Sequence, residues 1–114
     1  MKIYLATPYT DLSHEIMQER FELVTRKAGE LLKQGHIVFS PITSNHPIAI
    51  RCGLPVEYEF WKEFCEAFLE WCDEIWVYKL PGWKKSVGVK AEIKIAGKLG
   101  KPVKFIEIGK ARNK

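Results

Sequence analysis

Four short apolar runs punctuate the chain: Lys2–Ala6, His36–Ser40, Ile75–Tyr78 and Val103–Ile106. Each is short and rich in β-branched or aromatic residues, which predicts a strand. The first is too continuous to be half exposed, so it reads as a central parallel strand. Between the first two runs, Met17, Phe21, Val24, Ala28 and Leu31 recur every three or four residues, the spacing of one helix face. Ser13 can cap that helix, and Gln34-Gly35 ends it. A second helix spans Val56 to Cys72, with Phe60, Trp61, Phe64, Cys65, Phe68, Leu69 and Cys72 on a broad face. Ile93, Ala96 and Leu99 mark a third, led by Ser86 and fraying at Gly97 and Gly100. Residues Ile42 to Pro55 show no convincing period and read as a long irregular loop.

Strands alternating with helices predict an α/β fold: a single-domain flavodoxin/Rossmann-like three-layer sandwich. Its parallel sheet has four or five strands. Right-handed crossovers give the strand order 2-1-3-4, with a switch point between the first and third strands. The domain is expected over residues 1–108, and residues 109–114 read as a mobile basic tail.

In such sheets ligands bind beyond the carboxyl ends of the strands. Thr7-Pro8-Tyr9-Thr10-Asp11 follows the first strand, so these residues are site candidates or an ordinary βα turn. Across the crevice lies Gly82-Trp83-Lys84-Lys85-Ser86-Val87-Gly88, leading into Glu92. A helix N-terminus attracts anions. Ser86 is a natural N-cap, and Gly88 lets a ligand approach the backbone. Glu92 follows Ser86 by six residues, roughly 9 Å along a helix, comparable to the span from a nucleotide's phosphate to its sugar carbon. The plainer reading is a strand–loop–helix junction with a capping serine and an exposed glutamate. His46 can donate to a phosphate or a base, or serve structure alone. Arg20 belongs to a solvated face or reaches a site. Asp73 and Glu74 precede the third strand and lie at its far end.

The formal charge of +4 comes largely from Lys98, Lys101, Lys104, Lys110, Arg112 and Lys114. This gives a mild bias toward anions, too diffuse to argue for nucleic acid. Cys52, Cys65 and Cys72 form no C-x-x-C pair, so they suggest neither a disulfide framework nor a zinc site. No apolar run is of membrane-spanning length, and the start lacks a basic-then-apolar leader, so the cytoplasm is the expected location. There is no G-x-G-x-x-G and no Walker lysine motif, so the usual dinucleotide and P-loop readings fail.

Several pieces in this order carry a resemblance. They are Tyr4-Leu5-Ala6-Thr7-Pro8-Tyr9, Gly35-His36-Ile37-Val38-Phe39-Ser40-Pro41-Ile42, His46-Pro47, Leu80-Pro81-Gly82-Trp83, Ser86-x-Gly88, Glu92 and Gly100-Lys101-Pro102. Together they resemble the nucleoside 2-deoxyribosyltransferase-like superfamily, and more narrowly its DUF1937 branch of bacterial and phage proteins. The resemblance runs from Met1 to about Ile106. Its characterised relatives cleave or exchange the N-glycosidic bond of nucleosides or nucleoside monophosphates.

The resemblance implies roles for several residues. Glu92 matches the nucleophilic carboxylate and Tyr4 the tyrosine that orients it. Ser86 and Gly88 match phosphate-binding positions of the monophosphate hydrolases. The transferases carry an aspartate at the place of Ser86, so serine favours a phosphorylated ligand. An aspartate of the group, eight residues before the acid preceding the third strand, falls on Cys65 here. Asp11 is then the best-placed second carboxylate, with Glu66 a poorer one. Thr7, Pro8, Tyr9, His46 and Trp83 complete the expected substrate site, Trp83 or Tyr9 stacking on a base or simply packing.

The expected activity is an N-glycosidase or deoxyribosyltransferase-like reaction on a (deoxy)nucleoside monophosphate, with no metal and no cofactor. The alternatives are a catalytically inactive sensor that binds a nucleotide or nucleotide-sugar, and a purely structural interaction domain. Small relatives complete the site across a dimer, so a homodimer or higher oligomer is expected, with Phe60, Trp61, Phe64 and Phe68 as its apolar face.

Overall fold

The computed structural model describes residues 1–108; the basic tail expected over 109–114 lies outside the described residues. Its elements in order are β1 (Lys2–Ala6), α1 (His14–Lys33), β2 (Ile37–Phe39), α2 (Pro41–Cys52), α3 (Tyr58–Trp71), β3 (Glu74–Tyr78), α4 (Val87–Leu99) and β4 (Val103–Ile106). A single 3₁₀ turn, Trp83–Lys85, precedes α4. The four strands form one parallel sheet in the order β2-β1-β3-β4. Both the parallel sheet and its switch point between β1 and β3 are as the alternation of elements implies.

Strand register sorts the core into two layers. Tyr4 pairs with Ile75 and Ala6 with Val77. All four face a cluster that includes Cys65, Leu69 and Cys72 around α3 and Val89 and Ala96 from α4. Leu5 and Tyr78 point the other way, onto Val24, Ala28 and Leu31 of α1. β1 is buried on both faces, which explains its unbroken apolar run.

The caps follow local chemistry. Ser13 Oγ accepts from Ile16 N at the start of α1. Gly35, φ +95°, follows α1 in a left-handed conformation that side chains avoid. Ser86 Oγ accepts from Val89 N at 3.2 Å and caps α4.

One expectation is corrected. Residues 42–55 are not an irregular loop: most of them form α2, capped by Ser40 Oγ on Thr43 N and closed at Gly53, φ 66°. Its buried side carries Asn45 and His46 with Ala49, so no apolar period could show. Pro47 sits inside the helix and removes one backbone donor. The physical signals that remain are Ser40-Pro41, a cap followed by a proline in the first turn, and the glycine at the end. α2 packs on α1 and on the carboxyl end of β1, where it walls the crevice.

Candidate active site

A cavity opens at the switch point, beyond the carboxyl ends of the strands. Thr7 and Tyr9 come to it from the loop after β1. α2 contributes Pro41, Ile42, Asn45, His46 and Ala49. Val56 and then Tyr58, Trp61 and Cys65 of α3 form another wall, and Ser86, Gly88 and Glu92 come from the start of α4.

Glu92 is 4% exposed, and its Oε2 accepts a hydrogen bond from the Tyr4 hydroxyl. Burial pushes the Glu92 carboxyl up to about 8, and the Tyr4 bond opposes the rise. Burial first, and then the neighbouring Glu92 charge, hold Tyr4 well above the usual phenol range. Cys65 lies in side-chain hydrogen-bond contact with Tyr4, and burial pushes its thiol up to about 12. The Cys65 side chain is therefore a neutral thiol, not a thiolate.

Three buried side-chain atoms have no partner in the protein among the described residues: Thr7 Oγ1, Asn45 Oδ1 and Tyr58 OH. All three residues line this one cavity. A buried polar atom without a partner costs about 1–3 kcal/mol. Three of them around one cavity, from the loop after β1, from α2 and from α3, form a surface suited to a polar ligand.

The N-terminus of α4 adds donors. Ser86 Oγ accepts from Val89 N, which leaves its hydroxyl hydrogen free to donate. The amides of Val87 and Gly88 lie in the unpaired first turn. A Cβ at Gly88 would meet the Tyr58 ring at 3.4 Å, so glycine keeps this corner open.

His46 is buried and stacked on Phe21, ring centroids 4.6 Å apart. Its Nδ1 pairs with the Tyr9 hydroxyl and its Nε2 with Gln18 Oε1 at 2.9 Å. Arg20 joins the two loops that flank the crevice. It donates to the carbonyls of Tyr9 (3.1 Å), Thr10 (3.3 Å) and Pro81 (3.1 Å).

The structure thus brings Thr7, Tyr9, His46, Ser86, Gly88 and Glu92 together, with Tyr4 behind Glu92. Three other sequence candidates stand apart. Asp11 does not line the cavity; its Oδ2 accepts from Ser13 N at 2.9 Å in the turn before α1. Trp83 packs on Phe105, centroids 5.4 Å apart, and does not line it either. Pro8 is fully buried behind the loop. Asn45, Tyr58 and Trp61 line the cavity without having stood out as ligand contacts in the sequence. Asn45 was hidden because α2 lacks a period, and the other two merged into the aromatic stripe of α3.

No curated protein matches the chain. Among solved structures, it is similar to 2-deoxyribosyltransferase from the psychrotolerant bacterium Bacillus psychrosaccharolyticus, with a TM-score of 0.66 and 24% identity. The match covers 98% of this chain and 79% of that one, and it shows a shared fold. No helix among the described residues is long and apolar enough to cross a membrane. The family model described as a domain of unknown function, DUF1937, matches residues 1–108. On this fold, and over its whole described length, the chain belongs to the DUF1937 family.

Proposed function

We propose that the protein breaks the N-glycosidic bond of a (deoxy)nucleoside monophosphate, by hydrolysis or by transfer of the sugar. The observation that carries this reading is Glu92, a buried carboxylate at the switch-point cavity, held by the Tyr4 hydroxyl. In the reaction a Glu92 oxygen bonds to C1′ as the C1′–N bond breaks. The base leaves with the bonding electron pair and takes up one proton. Water or a second base then attacks C1′, frees Glu92 and loses a proton. The Ser86 hydroxyl and the first-turn amides of α4 hold the 5′-phosphate. Thr7, Asn45 and Tyr58 offer their unpaired atoms to the sugar and base, between the apolar surfaces of Ile42 and Trp61.

A second reading is a sensor that binds the nucleotide without turnover. The neutral thiol of Cys65 favours it, because a group of this acidity does not protonate a leaving base near neutral pH. In either case the exposed Phe60 and Phe64 offer a face for a second copy of the chain, which light scattering at micromolar concentration tests. The free thiols suit a reducing compartment, and we assign the protein to the cytoplasm.

The experiment is base release from a panel of ribo- and deoxyribonucleoside monophosphates and the matching nucleosides, followed by chromatography. Release that needs the 5′-phosphate and vanishes in Glu92→Ala supports the enzyme. Saturable binding without release, weakened in Ser86→Ala, supports the sensor. Neither release nor binding overturns both.

A further inference from the structure

Breaking the C1′–N bond leaves an electron pair on the base nitrogen that must be met by a proton. Glu92 is occupied with C1′, and the Cys65 thiol is too weak an acid. A hydrogen-bond chain running from the surface into the cavity identifies another source. Gln18 donates from its amide nitrogen to Glu22 Oε2 at 3.0 Å. A carboxylate only accepts, so this contact fixes the Gln18 amide, and its Oε1 must be what faces His46 Nε2. Nε2 therefore carries a hydrogen. In neutral His46 that leaves Nδ1 bare, so the single hydrogen of the Tyr9 hydroxyl is committed to Nδ1. When His46 is an imidazolium, Nδ1 gains a hydrogen and the contact reverses. Tyr9 then accepts from Nδ1, and its own hydrogen is released to the cavity, which both residues line. The titratable and charged groups around the ring are Tyr9 from the loop, His14, Glu15 and Glu22 from α1 and Arg51 from α2 itself, with Gln18 and Phe21 against it.

We propose that Tyr9 and His46 form a proton relay that protonates the departing base, with Tyr9 touching the base and His46 reloading it. As the C1′–N bond breaks, the base nitrogen takes the Tyr9 hydroxyl hydrogen. The Tyr9 oxygen takes the Nδ1 hydrogen, and His46 is left neutral, still bonded to Gln18. Solvent entering after the base has left returns the proton along the same path. Burial lowers the His46 pKa and the Glu22 charge opposes this, which makes the imidazolium a ready donor once formed. This inference rests on the glycosidase reading.

The test compares two leaving groups. One substrate is whichever common deoxyribonucleoside monophosphate the wild-type protein cleaves fastest. The other is 7-methyl-2′-deoxyguanosine 5′-monophosphate, whose cationic base departs without needing a proton. Tyr9→Phe and His46→Gln are each expected to slow the first reaction by about a hundredfold or more and to leave the second within a few-fold of wild type. Equal losses on both substrates mean a merely structural role and overturn the relay. So does an undiminished rate on the first. If the wild-type protein cleaves neither substrate, the glycosidase reading falls and the relay with it.

Discussion

The Tyr4 hydroxyl donates to Glu92 Oε2 across 88 positions of sequence, joining the central strand to the helix after the switch point. β1 and α4 are thereby joined at the floor of the switch-point cavity. The bond favours the charged form of Glu92, against a burial that disfavours it. Tyr4→Phe should raise the Glu92 pKa further above about 8 and lower base release at neutral pH roughly 10- to 100-fold. Relative to wild type the loss should shrink as the pH rises past about 8, where the wild-type rate falls and the variant's does not yet, which paired rate profiles between pH 6 and 10 measure.

The same burial makes Glu92 a stability cost. Its carboxyl is pushed from the ordinary value of 4.5 up to about 8 in the folded protein. Folding therefore takes up a proton between those values, and the native state is favoured at low pH. Stability falls as pH rises from 4.5 to 8, by about 1.4 kcal/mol for each unit at most, and the loss is complete above 8. Glu92→Gln should therefore match wild type at pH 4.5 and melt at a higher temperature at pH 8.5, while releasing no base. Paired thermal melts at the two pH values check this.

The relay predicts the shape of the rate profile. The active form needs Glu92 ionised and His46 protonated. Between the lowered His46 pKa and about 8 these two demands change in opposite directions and cancel, so wild-type kcat/KM should be flat there. Above about 8 Glu92 is fully ionised while the imidazolium continues to vanish, and the rate should fall. In His46→Gln that fall should disappear, leaving a rate that climbs tenfold per unit up to about 8 and then levels.

The unpaired atoms of Thr7, Asn45 and Tyr58 predict binding without a matching role in stability. Asn45→Ala should weaken nucleoside monophosphate binding by about 1–3 kcal/mol. Its melting temperature without ligand should stay near that of wild type. Calorimetric titration beside a thermal melt separates the two effects.

Much of the fold was legible because α1 is amphipathic in the ordinary way and β1 is an unbroken apolar run, as a strand buried on both faces must be. Met17, Val24, Ala28 and Leu31 are buried on α1, and the run Ile3–Ala6 is fully buried in β1. α2 was illegible for the reason that makes it interesting. Its buried side faces a cavity through Asn45 and His46, and a helix that lines a cavity replaces apolar residues with polar ones. Asp11 lies at the carboxyl end of β1, as chain order implies, but its carboxylate accepts from the backbone amide of Ser13 and does not line the cavity. The Tyr4–Glu92 contact joins residues far apart in sequence and was legible only through the family resemblance, whereas nothing in the sequence announces the three carbonyls that Arg20 bridges.

The Arg20 bridge bears on how this crevice can evolve. All three of its acceptors are main-chain carbonyls, which every residue possesses. The side chains at positions 9, 10 and 81 can change without loosening the joint. The constraint falls on Arg20 and on Gly82, where a Cβ would stand 2.8 Å from the guanidinium and φ is +93°. The two loops thus stay joined whatever side chains the rim carries, so long as Arg20 and Gly82 are kept.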